Sequence, residues 1–149
     1  MGKNKEKSTR PGMQDARLTL KLYDLRRETV MRESRSVMNG KFWPRTYEEF
    51  ISVTKPEDPM NAAYRQVSSY WEMVYGMARH GITNADYLAE FNAEGILLFA
   101  KIQPFLERYR TEVAPTAFRN AEWIVTECEE GKRRFALTRS RVEQMLKSR

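Results

Sequence analysis

The chain has 149 residues, 41% of them hydrophobic and 31% charged, with three Trp, seven Tyr and seven Phe; it is too apolar for a disordered polymer and long enough to bury a core without metal or disulfide staples. A single cysteine, Cys128, and a single histidine, His80, exclude an internal disulfide and the usual Cys/His zinc ligand sets. The net charge of +6 is unevenly placed: residues 1–41 carry 11 Lys/Arg against 5 Asp/Glu, residues 42–131 carry 8 against 14, and residues 132–149 carry 7 against 1, so an acidic body has two basic ends that a polyanion would meet first.

Residues 1–12 are polar and basic, with Lys3, Lys5, Lys7 and Arg10, and are expected to form a flexible solvating arm ahead of one helical domain over residues 13–149. The opening lacks the apolar stretch of a signal peptide, and no run approaches the roughly 18 apolar residues of a membrane span. The default expectation is a cytoplasmic protein with no transmembrane segment. Residues 13–38 read as one long helix, opened near Asp15 and stopped near Asn39 and Gly40. Leu18, Leu22 and Leu25 make one stripe, whereas Leu20, Tyr23, Val30, Met31 and Met38 lie roughly opposite. Such a helix suits contact with different partners at its two ends, and its first turns are the best placed to reach another subunit. Glu28 and Arg32 read as an ordinary i to i+4 surface pair.

In the turn at residues 41–45, KFWPR, Trp43 reads as an aromatic plug on the end of the core, with a peptide-binding platform as the alternative. Thr46 and Glu49 form a capping-box pattern that starts a short helix to about Val53. Pro56 and Pro59 make a rigid connector into the stretch that organises the chain, DPMNAAYRQVSSYWEMVYGMARHG at residues 58–81. Asp58 suits an N-cap, Pro59 the first helical position and Gly81 a left-handed terminator, which predicts a central helix over about 59–80. A turn of about 100° per residue puts Met60, Ala63, Tyr64, Val67, Tyr70, Trp71, Val74, Tyr75 and Ala78 on one broad apolar face. Charge is confined to a strip of Arg65, Glu72 and Arg79. The remaining side, with Ser69, Met73, Gly76, Met77 and His80, is small or soft and invites a second partner.

Beyond Gly81, Thr83 or Asn84 caps a helix through Tyr87, Leu88 and Phe91. Residues 92–95 break the chain before an apolar helix with Ile96, Leu97, Leu98, Phe99 and Ile102, in which Pro104 predicts a kink or restart. A helix begun at Thr116 runs through Phe118, Ala121, Ile124, Val125 and Cys128 to a stop at Gly131, and a last helix covers residues 132–147. No strand-like alternation bounded by hairpin turns occurs. The expected fold is all-α, with six to seven helices in an antiparallel bundle or compact array around the central helix.

Chemistry is sparse. His80 lies at a helix C-terminus, where the dipole favours its protonated form, but no triad pattern surrounds it, and capping or packing is the simpler role. Cys128 sits on an apolar helix side as a buried, inert thiol. Glu90 and Glu94 share a face without a histidine, which makes a poor metal site, and no phosphate loop, dinucleotide fingerprint or zincin motif is present. No cofactor or metal is expected. Polyanion contact rests on Lys132, Arg133, Arg134, Arg139 and Arg141 in the last helix together with the N-terminal arm, but these cations are spread around the helix and suit phosphate contact rather than base readout.

The segments YWEMVYGMARHGI, LLFAKIQPFLERYR and FRNAEWI together resemble a family of small bacterial helical proteins of unknown function, on Trp71, Gly81, Pro104, Phe105, Arg110, Asn120 and Glu122, over roughly residues 62–128. Relatives of that kind often carry a membrane anchor ahead of the helical domain; this chain has a charged amphipathic helix there instead. The resemblance implies an all-α fold without an assigned activity, and an ion pair between Arg110 and Glu122 on neighbouring helices. The functional expectation is a non-enzymatic helical interaction, scaffold or accessory protein with a protein partner or a second copy of itself, using Met73, Gly76, Met77, Leu18 and Leu22. The alternative is sequence-independent nucleic-acid or polyanion binding through the basic ends.

Overall fold

The computed structural model describes residues 10–149; Lys3, Lys5 and Lys7 of the expected basic arm lie outside the described residues. The chain runs through α1 (Met13–Arg27), α2 (Thr29–Gly40), α3 (Tyr47–Val53), α4 (Asn61–Arg79), α5 (Ala85–Phe91), α6 (Glu94–Ile102), a 3-10 turn (Gln103–Phe105), α7 (Leu106–Glu112), α8 (Arg119–Glu127) and α9 (Glu129–Ser148), with no strand among the described residues. The all-α class is as expected, and the helices outnumber the six or seven read from the sequence. No helix among the described residues is long and apolar enough to cross a membrane.

The first extra break falls at Glu28, whose extended ψ of 142° separates α1 from α2. Its carboxylate accepts from the amides of Val30 and Met31 at 3.0 Å each, so Glu28 caps a new helix instead of pairing with Arg32. Around Pro104 the helix does tighten into a 3-10 turn and restart, as its missing N–H requires. Gly131 was expected to stop a helix and does not. The chain turns three residues earlier, at extended Cys128, and Gly131 lies inside α9 where a Cβ would collide with the Ile124 carbonyl oxygen, so the glycine permits the close crossing of α8 and α9.

The central helix α4 begins two residues later than its proline suggests, because Asp58 accepts from the Met60 amide and the Ser52 hydroxyl in a turn that precedes it. It ends as expected at left-handed Gly81, φ 71°. Its apolar face is fully used: Val67, Trp71, Val74 and Tyr75 are buried, and Phe50 joins Tyr64, Phe105 and Tyr109 in one aromatic cluster. The side read as a second face is partly covered by α8 of the same chain, which buries Gly76 and leaves Met73 exposed. Glu72 accepts from the amides of Asn120 and Ala121 at 3.2 and 2.8 Å, and Asn120 donates its side-chain amide to the Glu72 carbonyl at 3.1 Å. This carboxylate caps α8 from another helix, which explains why α8 starts only after Phe118, held left-handed at φ 58°.

Trp43 is half-buried: its indole N–H donates to the Asn39 carbonyl, and its ring lies 3.8 Å from Lys101 Nζ and 5.3 Å from the Arg149 guanidinium. Buried Lys101 donates to the Met38 carbonyl near the end of α2, and burial, with Arg149 nearby, pushes its ammonium down to about 8. Nearer its start, α6 approaches α4 through Gly95, where an added Cβ would lie 2.5 Å from the Tyr75 hydroxyl and 2.6 Å from the Trp71 ring. Gly95→Ala should therefore destabilise the protein by about 1–3 kcal/mol, although alanine is the better helix former. A urea midpoint that stays the same or rises would contradict this packing.

Candidate interaction surface

Helix α1 is held to the body along one side. Asp15 Oδ1 accepts from the Thr83 hydroxyl at 2.7 Å and the Asn84 amide at 2.8 Å, while Oδ2 accepts from the Gly12 amide at 2.7 Å. One carboxylate thus closes the start of α1 and ties it to the turn before α5. These three bonds hold its carboxyl below the usual range. Two turns on, Leu22 is 1% exposed and its carbonyl accepts from Tyr70 of α4 at 2.8 Å. At the end of α1 the Arg26 carbonyl accepts from Arg35 at 3.2 Å. Arg35 in turn makes a bidentate pair with Glu94, at 2.8 and 2.6 Å, and Asn39 donates to the same carboxylate. Burial alone would raise the Glu94 carboxyl, but the bonds from Arg35 and Asn39 outweigh it and the pKa falls.

The other side of α1 carries three of the large apolar side chains that the fold leaves open: Met13 is 69% exposed, Leu20 68% and Tyr23 50%. Val30, in the first turn of α2, is 55% exposed. Arg17, Lys21, Asp24 and Arg27 lie among them, all exposed. The guanidinium groups of Arg26 and Arg27 sit 5.6 and 5.4 Å from the Tyr23 ring centroid and hold it in place. A soft, aromatic and basic strip is therefore presented by a helix whose opposite side is pinned by hydrogen bonds to the body.

Of the residues expected to form an interface, Leu22 and Gly76 are corrected. Leu22 is buried beneath Tyr70, and Gly76 is buried with a built Cβ 3.0 Å from the Asn120 amide nitrogen, so both pack within the chain. Leu18 and Met77 are half-buried, and only Met73, at 49%, is open to solvent. Met13, Leu20, Tyr23 and Val30 were not among the expected interface residues, although three of them, Leu20, Tyr23 and Val30, stood opposite the leucine stripe. That two-sided pattern was the signal that could have found them.

The basic residues of α9 meet acids. Lys132 pairs with Glu129 at 3.1 Å, Arg133 and Arg134 with Glu130 at 2.6 and 2.9 Å, and Arg139 with Glu143 at 3.3 Å; Arg141 is exposed without an ion pair among the described residues. Two of these acids, Glu129 and Glu130, precede the segment that looked so basic, which is why counting from residue 132 overstated its charge. Arg133 and Arg134 together hold the half-buried Glu130 carboxyl down to about 2. Arg110 pairs with Glu122 at 3.0 Å, joining α7 to α8 as the resemblance implied.

Groups with chemical potential are engaged in structure. Burial and a bond to Asp86 push the Cys128 thiol up to about 12, so at neutral pH it is a protonated N-cap of α9 rather than a nucleophile. His80 is exposed at the end of α4. An open groove of about 680 Å³ runs beside α4 past Tyr64, Arg65, Ser69, Tyr109 and Phe118, and its carboxylate, Glu72, is the one that caps α8. Among the described residues no group of three or more His, Cys, Asp or Glu is placed to hold a metal ion.

A family model matches residues 11–128, from the start of α1 to the end of α8. The chain belongs to the family described as domain of unknown function DUF4760. The DUF4760 match is wider than the resemblance over residues 62–128, because it includes α1 and the whole of its open strip. It ends at Cys128, before the ion-paired basic residues of α9. No curated protein and no solved structure matches the chain.

The depressed pKa of Asp15 makes its contribution to holding α1 complete above the unfolded carboxyl value of about 3.9 and lost as pH falls through the folded value. Asp15→Asn should give the same loss at neutral pH. Hydrogen exchange should show protection in α1 falling on the order of tenfold in the variant, with α4 unchanged. Equal loss in both helices, or in neither, would contradict this anchoring.

Proposed function

We propose that this protein is a non-enzymatic helical interaction protein that docks through the outer side of α1, with self-association as its simplest form. One observation carries the reading: Met13, Leu20 and Tyr23 stand half-exposed or more on one side of a helix whose other side is fixed by Asp15, Leu22 and the Arg26 carbonyl. Large apolar groups left open on a rigid element lose little conformational freedom when a partner covers them, which favours association. Two further features support it. The thiol and the carboxylates best placed for chemistry hold helix ends, namely Cys128 and Glu28 at their own helices, Glu72 at α8 and Asp15 at α1. The alternative of polyanion contact through both basic ends draws less support, because four of the five candidate cations in α9 already pair with Glu129, Glu130 or Glu143, two of them sharing Glu130.

Leu20→Glu tests the proposal. Because Leu20 touches solvent, the variant should keep the wild-type melting temperature, while light scattering on a size-exclusion peak should show a mass that rises with concentration for the wild type and stays monomeric for the variant. A wild-type chain that is monomeric throughout, or association indifferent to Leu20→Glu, would remove α1 self-association from the account.

A further inference from the structure

The open strip of α1 is self-complementary, and we infer that its partner is a second copy of the same strip running antiparallel. The inference rests on the proposed docking role of α1 and specifies what docks there. Along α1, Met13 and Leu20 are seven residues apart, as are Ala16 and Tyr23, and as are Arg17 and Asp24. Met13 and Leu20 occupy the a positions of a two-heptad seam, Ala16 and Tyr23 the d positions, and Arg17 and Asp24 the e positions that flank it. The seam lies on the side turned away from Asp15, Leu22 and Arg26, the residues that bind α1 to the body.

Two such helices laid antiparallel about a two-fold axis near residues 21 and 22 bring Leu20 of each copy against Tyr23 of the other. Ala16, small enough to leave room, then faces the stem of Arg27, and Met13 reaches toward the start of the other α2, where Val30 is also open. The charges decide the direction. In antiparallel pairs the e positions of the two helices flank the same edge of the seam, so Arg17 of each copy faces Asp24 of the other, giving two equivalent ion pairs. In a parallel pair at equal register, Arg17 would lie level with Arg17 and Asp24 with Asp24, without either pair forming. Both side chains are exposed and neither takes part in an ion pair among the described residues, so both are available for this contact. A two-fold contact of this kind closes on itself and yields a dimer instead of a fibre. With a seam only about 21 Å long, the dimer is expected to be weak and concentration-dependent.

Charge exchange tests the geometry. Arg17→Asp places two acids opposite each other at both ends of the seam, and Asp24→Arg places two bases there. Each variant alone should self-associate at least about tenfold more weakly than the wild type in sedimentation equilibrium. An equimolar mixture of the two single variants should recover a dimer near wild-type strength, detected as a heterodimer by native mass spectrometry, and the double variant R17D/D24R should recover a homodimer. Circular dichroism melting checks that all three fold. If Leu20→Glu abolishes association but the mixture and the double variant fail to recover it, the antiparallel pairing is overturned while the docking role of α1 survives. If the wild type never associates, the pairing falls together with the self-association it rests on. If instead a monomeric chain binds phosphatidylserine vesicles through this strip, a lipid surface replaces the second copy and the inference is wrong.

Discussion

The close approach of α6 to α4 at Gly95 is the constraint on which the rest of the arrangement depends. Without a Cβ at that position the backbone of α6 lies directly against the Trp71 and Tyr75 rings, and Tyr75 can donate its buried hydroxyl to the Asn92 carbonyl at 2.7 Å. This seats Glu94, the residue beside the glycine, where Arg35 of α2 meets it with two bonds. The same guanidinium accepts no freedom of its own: its third contact fixes the Arg26 carbonyl at the end of α1. A packing feature at the centre of the molecule is thereby passed outward, through a charge-assisted pair, to the position of the first helix. The outer strip of α1 inherits its rigidity from that sequence of contacts, since an unsupported helix of this length would be marginal in water.

A second feature of the packing is that α8 takes up much of the softer side of α4, leaving Met73 open. That small and soft side looked like room for a partner, and the partner is α8, drawn in by Glu72 and by an asparagine that sits over Gly76. A carboxylate in mid-helix reads as surface charge in a sequence, yet here it supplies the negative charge that a helix N-terminus prefers. Burial pushes the Glu72 carboxyl upward against those same bonds, as expected for an acid taken partly out of water to serve as a cap.

Much of the fold was legible because it rests on local signals. The Gly81 terminator, the Asn84 cap, the break at Pro104 and the apolar face of α4 are each set by residue type and spacing, and each stands where the sequence put it. The failures lie where a residue's role is not its place in the apolar pattern. Glu28 and Glu72 each cap a helix, one starting afresh within an apparently continuous pattern and the other lying 48 residues away from Asn120, and Gly131 serves a crossing rather than a turn. The roles of Glu72 and Gly131 are decided by tertiary contact and that of Glu28 by a local cap, and apolar periodicity encodes neither. The candidate surface was half legible. The two-sided pattern of α1 was visible, with Leu20 and Tyr23 opposite the leucine stripe, but choosing the exposed side required knowing that Leu22 faces Tyr70. In the basic tail, the acids that pair with Lys132, Arg133 and Arg134 lie one turn upstream of the cations, outside the stretch whose charge stood out.

What emerges is a helical body whose titratable groups hold helices together and whose first helix offers a fixed apolar and basic strip to the outside. The most direct measurement of that claim is intermolecular nuclear Overhauser contact in a mixture of carbon-13-labelled and unlabelled chains. The account predicts contacts between the Leu20 methyls of one chain and the Tyr23 ring of another. Intermolecular contacts confined to other helices, or their absence at millimolar concentration, would contradict it.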